Sequence, residues 1–275
     1  MSAYSTKEYW TDVAQILGSA DEAGLASVLH PMAPRWFNRC MDGLQYRAIR
    51  RALALADLPS GSRILDVGCG TGRWVRRFRG IGLDSMGVDA TPDMLWWARQ
   101  HEKIAPLLAG EAHRLPFMDA AFDCVSDITV VQHIPAALQP LALAEMVRVL
   151  KPGGRLLLME LIRGEGSHIF PRSPQDWIEE VTSSGMELIG WFGQEFLLLD
   201  RLFVRIARTF AAQEGDHGDG LKSLSQTAAR HSSAARRVYW GARHITAPLS
   251  AWTDPLVEKI CPARLATHGV FIFKK

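Results

Sequence analysis

One local pattern limits this chain more than any other. It is the run Ile64-Leu65-Asp66-Val67-Gly68-Cys69-Gly70-Thr71-Gly72, followed by the segment Arg73 to Arg79. An apolar run that reads as a buried strand ends in an acid, passes through a glycine-rich turn and opens a helix. Glycine permits the turn and lets a ligand approach the backbone closely. Open α/β sheets bind ligands at the carboxyl ends of their strands. The pattern therefore predicts an α/β fold with a ligand at this loop.

The rest of the chain repeats that rhythm. Short apolar runs lie at Arg63–Val67, Ser85–Val88, Ala105–Ala109, Phe122–Ser126, Arg155–Leu161 and Glu187–Phe192. Amphipathic segments lie between them at Arg73–Arg79, Pro92–Gln100, Leu138–Leu150 and Pro174–Ser184. Strands alternating with helices predict a parallel sheet covered on both faces. Val149 to Arg155 reads as a helix stop, a turn and a strand start. Before this core, Leu44, Ala48, Arg51, Ala52 and Leu55 recur at helical spacing, until Pro59, Ser60 and Gly61 stop the helix. After it the rhythm is lost, and it returns only at His268–Lys275, where a strand pattern reappears. The expected organisation is an N-terminal helical cap (1–61), a core (62–195), a helical lid or substrate insertion (196–264) and a final core strand (265–275).

The ligand can be narrowed by charge. A nicotinamide dinucleotide site carries GxGxxG, with a pyrophosphate at the helix N-terminus. Here the glycines are Gly68, Gly70 and Gly72, and Arg73 stands where a third small residue belongs. Asp66 would repel a pyrophosphate, whereas it suits a ligand with an ammonium group, such as an amino-acid nucleoside. Asp89, in Gly87-Val88-Asp89-Ala90-Thr91, ends the next strand and can accept both ribose hydroxyls. Its structural alternative is to cap the helix after Pro92. Gly110-Glu111-Ala112-His113-Arg114-Leu115-Pro116-Phe117 places a further acid where an adenine amino group could donate to it.

Together the blocks ILDVGCGTG, GVDATPDML, GEAHRLPF, FDCVSDITVVQHIP and RVLKPGGRL resemble the class I S-adenosylmethionine-dependent methyltransferases. The likeness is to their small-molecule branch, the type 11 and ubiquinone-biosynthesis-like enzymes, and is tight over about 62–160. It implies a Rossmann-like, seven-stranded, mostly parallel sheet with an antiparallel last strand. It implies S-adenosylmethionine as cofactor and S-adenosylhomocysteine as product. Asp66, Gly68, Cys69, Gly70 and Gly72 would face the methionine part. Asp89, Ala90 and Met94 would hold the ribose, and Glu111 and Ala112 the adenine. Glu111 departs mildly from the Asp more usual there. Asp127 would lie near the sulfonium. Trp36, in Pro34-Arg35-Trp36-Phe37, is a candidate wall of the cofactor or substrate site, with ordinary packing as its alternative. No Asn-Pro-Pro-Tyr block, Pro-Cys pair or paired glutamates is found, which sets aside the amino-methylating DNA and protein, cytosine-C5 and protein-arginine branches; the Asp-Asn pair of metal-dependent catechol enzymes is also missing, so no metal is expected.

Methyl transfer needs an aligned nucleophile and, for a hydroxyl or ammonium, removal of a proton. The candidate catalytic residues are His133 in VQHIP, His168 after the fifth strand, and Glu160 at its end. For His133 the alternative is a buried histidine that supports its loop. His30, His217, His231, His244 and His268 are assigned to the surface by default. Nine tryptophans favour a hydrophobic, natural-product or lipid-like acceptor. Oxygen ranks first as acceptor atom, carbon second and nitrogen third. A non-methylating rearrangement or a C-methylation with cyclisation is the alternative on the same fold. A binding protein with a decayed site and a dehydrogenase rank behind it.

Composition sets the remaining limits. The hydrophobic fraction of 48% and charged fraction of 22% are ordinary globular usage. No apolar run reaches the ~18 residues of a membrane span, and Met1 to Asp12 does not read as a secretory signal. A net charge of +2 argues against nucleic acid as a partner. Cys40, Cys69, Cys124 and Cys261 stand far apart and read as reduced thiols of a cytoplasmic protein. Arg201, Arg205, Arg208, Lys222, Arg230, Arg236, Arg237 and Arg243 form a basic stretch around a loop, Glu214 to Gly220. It reads as a solvated helical face or as an attractor for an anionic substrate or membrane surface. A monomer or homodimer is expected.

Overall fold

The computed structural model describes residues 5–17, 25, 29, 30, 33–102, 106–164, 166, 168–213 and 233–275. Its centre is a seven-stranded sheet in the order β3-β2-β1-β4-β5-β7-β6. The strands are β1 (Arg63–Val67), β2 (Asp84–Asp89), β3 (Leu107–Ala109), β4 (Phe122–Ile128), β5 (Leu150–Leu161), β6 (Glu187–Gln194) and β7 (His268–Lys274). β1 pairs in parallel with β2 and β4, and β4 with β5. β7 runs antiparallel to both β5 and β6. This is the Rossmann-like sheet with a reversed last strand that the motif order implied. The strand order changes direction at β1 and β4, and the crevice beyond their carboxyl ends is where such sheets take ligands.

Helices cover both faces: α1 (Thr6–Leu17), α2 (Arg35–Ala56), α3 (Arg73–Gly80), α4 (Pro92–Glu102), α5 (Gln139–Val149), α6 (Pro174–Ser183), α7 (Leu198–Gln213) and α8 (Ser233–Ile260). Alternation along β4, β5 and β7 sends Val125, Leu158 and Phe271 into one core, beneath α5 and α6, with Met146 and Trp177. It sends Cys124, Leu157, Val270 and Ile272 into the opposite core, against α2 and α3, with Ile49, Trp74 and Phe78. β1, β4, the carboxyl half of β5 and β7 are buried on both faces, which is why their runs are almost continuously apolar.

The one clear departure is at β5. Its pairing begins at Leu150, ahead of the expected start at Arg155, because Lys151–Gly154 form an irregularity in the strand. Gly153 takes φ +78 there, and the Lys151 ammonium reaches Asp123 Oδ1 at 2.7 Å across the bulge.

The stretch expected as a lid forms α7 and α8, and α8 packs on both α7 and α2. Asp254 of α8 accepts from the backbone N–H groups of Phe196 and Leu197, at 3.0 and 2.8 Å. Arg243 pairs with the buried Asp200 and stacks over Phe37 and Trp240. Arg201 donates to the carbonyl of Leu265. Two arginines of the basic stretch are therefore internal fasteners. The side chains of Arg208, Arg236 and Arg237, and all of Lys222, Arg230 and the Glu214–Gly220 loop, lie outside the described residues.

Candidate functional site

The glycine loop is built from backbone geometry. Gly68 sits at φ +66, and a Cβ there would run into the methyls of Val130. Only glycine satisfies both conditions. Asp66 ends β1 almost wholly buried, accepting from Ser126 Oγ at 2.9 Å. Burial pushes its pKa up to about 7; the Ser126 hydroxyl and Arg73 oppose the rise, and Asp127 and Asp89 add to it. Asp89 fastens the loop to the end of β2. Its Oδ2 accepts from Gly70 N–H and its Oδ1 from Thr91 N–H, both at 2.8 Å. Burial raises its pKa despite these bonds.

These groups meet at a cavity of about 400 Å³, within the range of small-molecule sites. From the loop it receives Asp66, Gly68, Cys69 and Gly70. Asp89 and Ala90 follow β2, with Met94 on α4, and Glu111 and Ala112 follow β3. Glu111 pairs with His113 at 3.0 Å on the rim. Gly72, at φ +74, starts α3 and does not line the wall.

Its other side holds residues that the sequence reading left unused. Thr6, Lys7 and Trp10 of α1, with Ser5 just before it, close the cavity. Thr6 Oγ1 donates to the carbonyl of His133 at 3.0 Å. Trp10 sets its edge on the His133 ring, with centroids 5.0 Å apart, and Tyr9 stacks on His168 at 4.6 Å. Thr6, Tyr9, Trp10 and Val13 fall at i, i+3, i+4 and i+7, so the docking face of α1 was present in the sequence as an amphipathic stripe.

Of the three proposed catalytic residues, only His133 lines the cavity. Its ring is occupied at both nitrogens. Gln132 Oε1 accepts from Leu161 N–H, so the Gln132 amide nitrogen is the donor toward His133 Nε2, at 3.2 Å. Nδ1–H then donates to the carbonyl of His168 at 3.0 Å. Burial takes the His133 pKa down to about 4, leaving the ring neutral at pH 7. His168 lies behind it, stacked on His133 with centroids 5.6 Å apart.

Glu160 is fully buried and off the cavity wall. Its carboxylate accepts from the backbone N–H groups of Val130, Val131 and Gln132 at 2.8, 2.9 and 2.8 Å. It holds the turn that carries His133. Asp127 is likewise fully buried beside Glu160, away from the cavity wall. The alternation that puts Asp66, Ser126 and Ile128 on the α2 face turns Asp127 to the other one. Trp36 is also off the wall. It packs edge-on against Phe37, Trp240 and His244, in the cluster where α2 meets α8. No residue of α7 or α8 lines the cavity among those described.

Residues 65–158 match the family described as Methyltransferase domain. A malonyl-acyl carrier protein O-methyltransferase of Erwinia pyrifoliae is 38% identical over 133 residues, 48% of this chain and 49% of that protein. A demethylmenaquinone methyltransferase of Deinococcus radiodurans is 38% identical over 152 residues, 52% of this chain and 61% of that protein. The chain thus spans about half the length of the curated relatives it matches. In fold it is similar to the 4+2 cyclase SpnF, with a TM-score of 0.52, 20% identity, and coverage of 83% of this chain and 80% of that one. Residues 65–158 thus match a methyltransferase domain, and they lie on a sheet of Rossmann-like order.

Proposed function

We propose that the chain transfers a methyl group from S-adenosylmethionine to a small, largely apolar acceptor. The observation that carries this reading is the joining, in one roofed cavity, of a buried acid at the glycine loop with a second acid at the end of β2. The residues fit the cofactor. Asp66 has one hydroxyl partner and is left to receive an ammonium group. Glycine at 68 lets the loop turn at φ +66 against Val130, and Asp89 retains lone pairs for ribose hydroxyls after binding Gly70 and Thr91. Met94, Glu111 and Ala112 would border the adenosine. When bound, the cofactor supplies a methyl on a positively charged sulfur, open to in-line attack. The chain's part is to hold the acceptor in line and exclude water, a role that suits the α1 roof.

His133 bears on the choice of acceptor. A neutral ring with a pKa near 4 and both nitrogens engaged is a weak base at neutral pH. An oxygen that needs no base, such as a carboxylate, fits this cavity best, and Lys7 on its wall suits an anionic group. His133→Gln should therefore lower turnover less than about tenfold, against the ~100-fold or more expected of a lost general base. At saturating cofactor it should also leave the pH profile of turnover the same as the parent's. A large loss with an altered profile would restore His133 as the base. Asp89→Ala should weaken cofactor binding by about 1–3 kcal/mol, since a charged acceptor is removed; calorimetry showing unchanged affinity would refute the ribose role.

The same feature favours a second reading, C-methylation with cyclisation or a non-methylating rearrangement, because neither requires a base at the cavity. The deciding experiment titrates the protein with S-adenosylmethionine, S-adenosylhomocysteine and a dinucleotide, then follows S-adenosylhomocysteine release over a panel of apolar acceptors. Binding without a dinucleotide signal and with acceptor-dependent release supports methyl transfer. Product formation without release would favour rearrangement.

A further inference from the structure

A second polar cluster lies on the α2 face of the sheet, at the end where the ligand cavity opens. β7 enters the sheet there because it runs antiparallel, so its first residue stands beside the carboxyl ends of β5 and β6. His268 is paired across the ladder with Leu161 on one side and Gln194 on the other. Alternation places His268 with Val270 and Ile272, and Gln194 with Phe192, on the face that also carries Ile128 of the cavity wall.

The chemistry of the cluster is unusual for a core. His268, Gln194 and Glu195 are 8%, 6% and 8% exposed. His268 Nδ1 lies 3.2 Å from Glu195 Oε2. Glu195 is held in place for this contact at the cost of a left-handed backbone, φ +67, as is Leu197 at φ +44. The strained corner is locked by Asp254, by Thr267, whose hydroxyl donates to the Glu195 carbonyl at 2.7 Å, and by Arg201. Non-glycine residues fixed in such a conformation concentrate at functional sites. Burial by itself would raise the Glu195 pKa, but His268, His30 and Arg201 outweigh it and hold the carboxylate below its ordinary value. An imidazole thus sits beside a carboxylate, and its buried Nδ1, though 3.2 Å from Glu195, has no aligned hydrogen bond among the described residues.

Gln194 adds the second observation. Both its amide oxygen and its amide nitrogen are buried and have no partner among the described residues. Unpaired buried amides are costly, and native chains tolerate few of them. A ligand group that both donates and accepts would satisfy this amide.

We propose that His268, Gln194 and Glu195 form a subsite that anchors a hydroxyl or carbonyl group at the far end of the methyl acceptor. The ends of β4 and β7 are two strand spacings apart, about 10 Å, which a flat two-ring molecule spans. The acceptor would lie along the rim from the cofactor cavity to this cluster. The proposal rests on the methyltransferase reading and names the polar end of its substrate.

The test uses the full chain labelled with nitrogen-15 in histidine, with the His268 signals assigned through His268→Gln. The probes are 1-naphthol and, as a control without a hydroxyl, naphthalene, each with and without S-adenosylhomocysteine. Naphthol should move the His268 ring-nitrogen resonances, and naphthalene should not. Gln194→Met removes the unpaired amide at constant size. It should weaken naphthol binding at least about tenfold, keep S-adenosylhomocysteine affinity unchanged and leave the melting temperature equal or higher. A resonance that ignores naphthol, or a Gln194→Met protein that binds it as well as the parent, overturns the subsite. Failure of S-adenosylhomocysteine to bind would instead sink the methyltransferase reading, and the naphthol titration without it still reads the subsite alone.

Discussion

Replacing Asp66 with Asn should weaken S-adenosylmethionine binding by roughly 10- to 100-fold, on the scale of a lost charge-assisted hydrogen bond. The parent protein should itself show this dependence as a function of pH. The free carboxyl has its pKa raised to about 7 by burial. A bound ammonium would favour the ionised form and lower that value, so binding below pH 7 would release a proton. Affinity should then fall by up to about tenfold for each pH unit below 7, until the pKa of the complex is reached. S-adenosylhomocysteine, which has the same amino-acid arm, should follow the same curve. Methylthioadenosine, which lacks the arm, should show neither the pH dependence nor the Asn effect. Stability moves the other way. A carboxyl whose folded pKa is raised contributes stability present below its unfolded value, near 4, and lost as the pH rises through about 7. Asp66→Asn removes that loss, so the ligand-free variant should melt higher than the parent at pH 8. Calorimetry with the three ligands at pH 6 and 8 is decisive: equal affinities at both values would remove Asp66 from the ammonium site.

Much of this architecture was legible in the sequence because its signals are local. The β1 run, the glycine turn and the start of α3 occupy consecutive residues, and Arg63–Val67 and Arg73–Gly80 form where periodicity puts them. Asp66, Asp89 and Glu111 end or follow adjacent strands, so strand order alone brings them to one rim. What was not legible depends on contacts between distant parts of the chain. Thr6 meets His133 across 127 positions, and no local pattern says that α1 will roof the cavity. Trp36 reads as a pocket wall until Trp240 and His244 arrive from α8 to pack against it. His268 looks like any residue at a strand start. The reversed direction of β7, which the resemblance had implied, is what sets it beside Glu195 and Gln194. Glu160 is instructive in another way: an acid at a strand end beside the pocket suggested chemistry, yet its oxygens are taken up by the backbone of its own loop.

That role of Glu160 leads to the largest effect expected on stability. Glu160→Ala would strip the acceptor from three buried N–H groups, those of Val130, Val131 and Gln132. It would also leave Asp127 buried without its neighbour. Each orphaned donor costs about 1–3 kcal/mol, and breaking a buried charged arrangement typically costs about 3–5 kcal/mol. Loss in that range is expected by urea unfolding, together with loss of cofactor binding, because Val130 backs Gly68 and the same turn carries His133. Glu160→Gln keeps one acceptor oxygen and should fall between Ala and the parent. The partner variant separates the charges from the packing. Two buried carboxyls side by side cannot both be ionised at ordinary pH. Burial, reinforced by Glu160, holds Asp127 well above its usual range, and burial raises Glu160 to about 7. Near neutral pH the pair keeps a proton, held on Asp127. Stability from this proton is present below the unfolded carboxyl values and is lost as the pH rises through about 7 and beyond. Asp127→Asn supplies a permanent N–H donor in place of the proton, so it should be nearly neutral at pH 6 and more stable than the parent at pH 8.5. A Glu160→Ala protein within about 1 kcal/mol of the parent, or an Asp127→Asn protein that loses stability as the pH rises, would show that the pair does not share a proton and does not hold the turn.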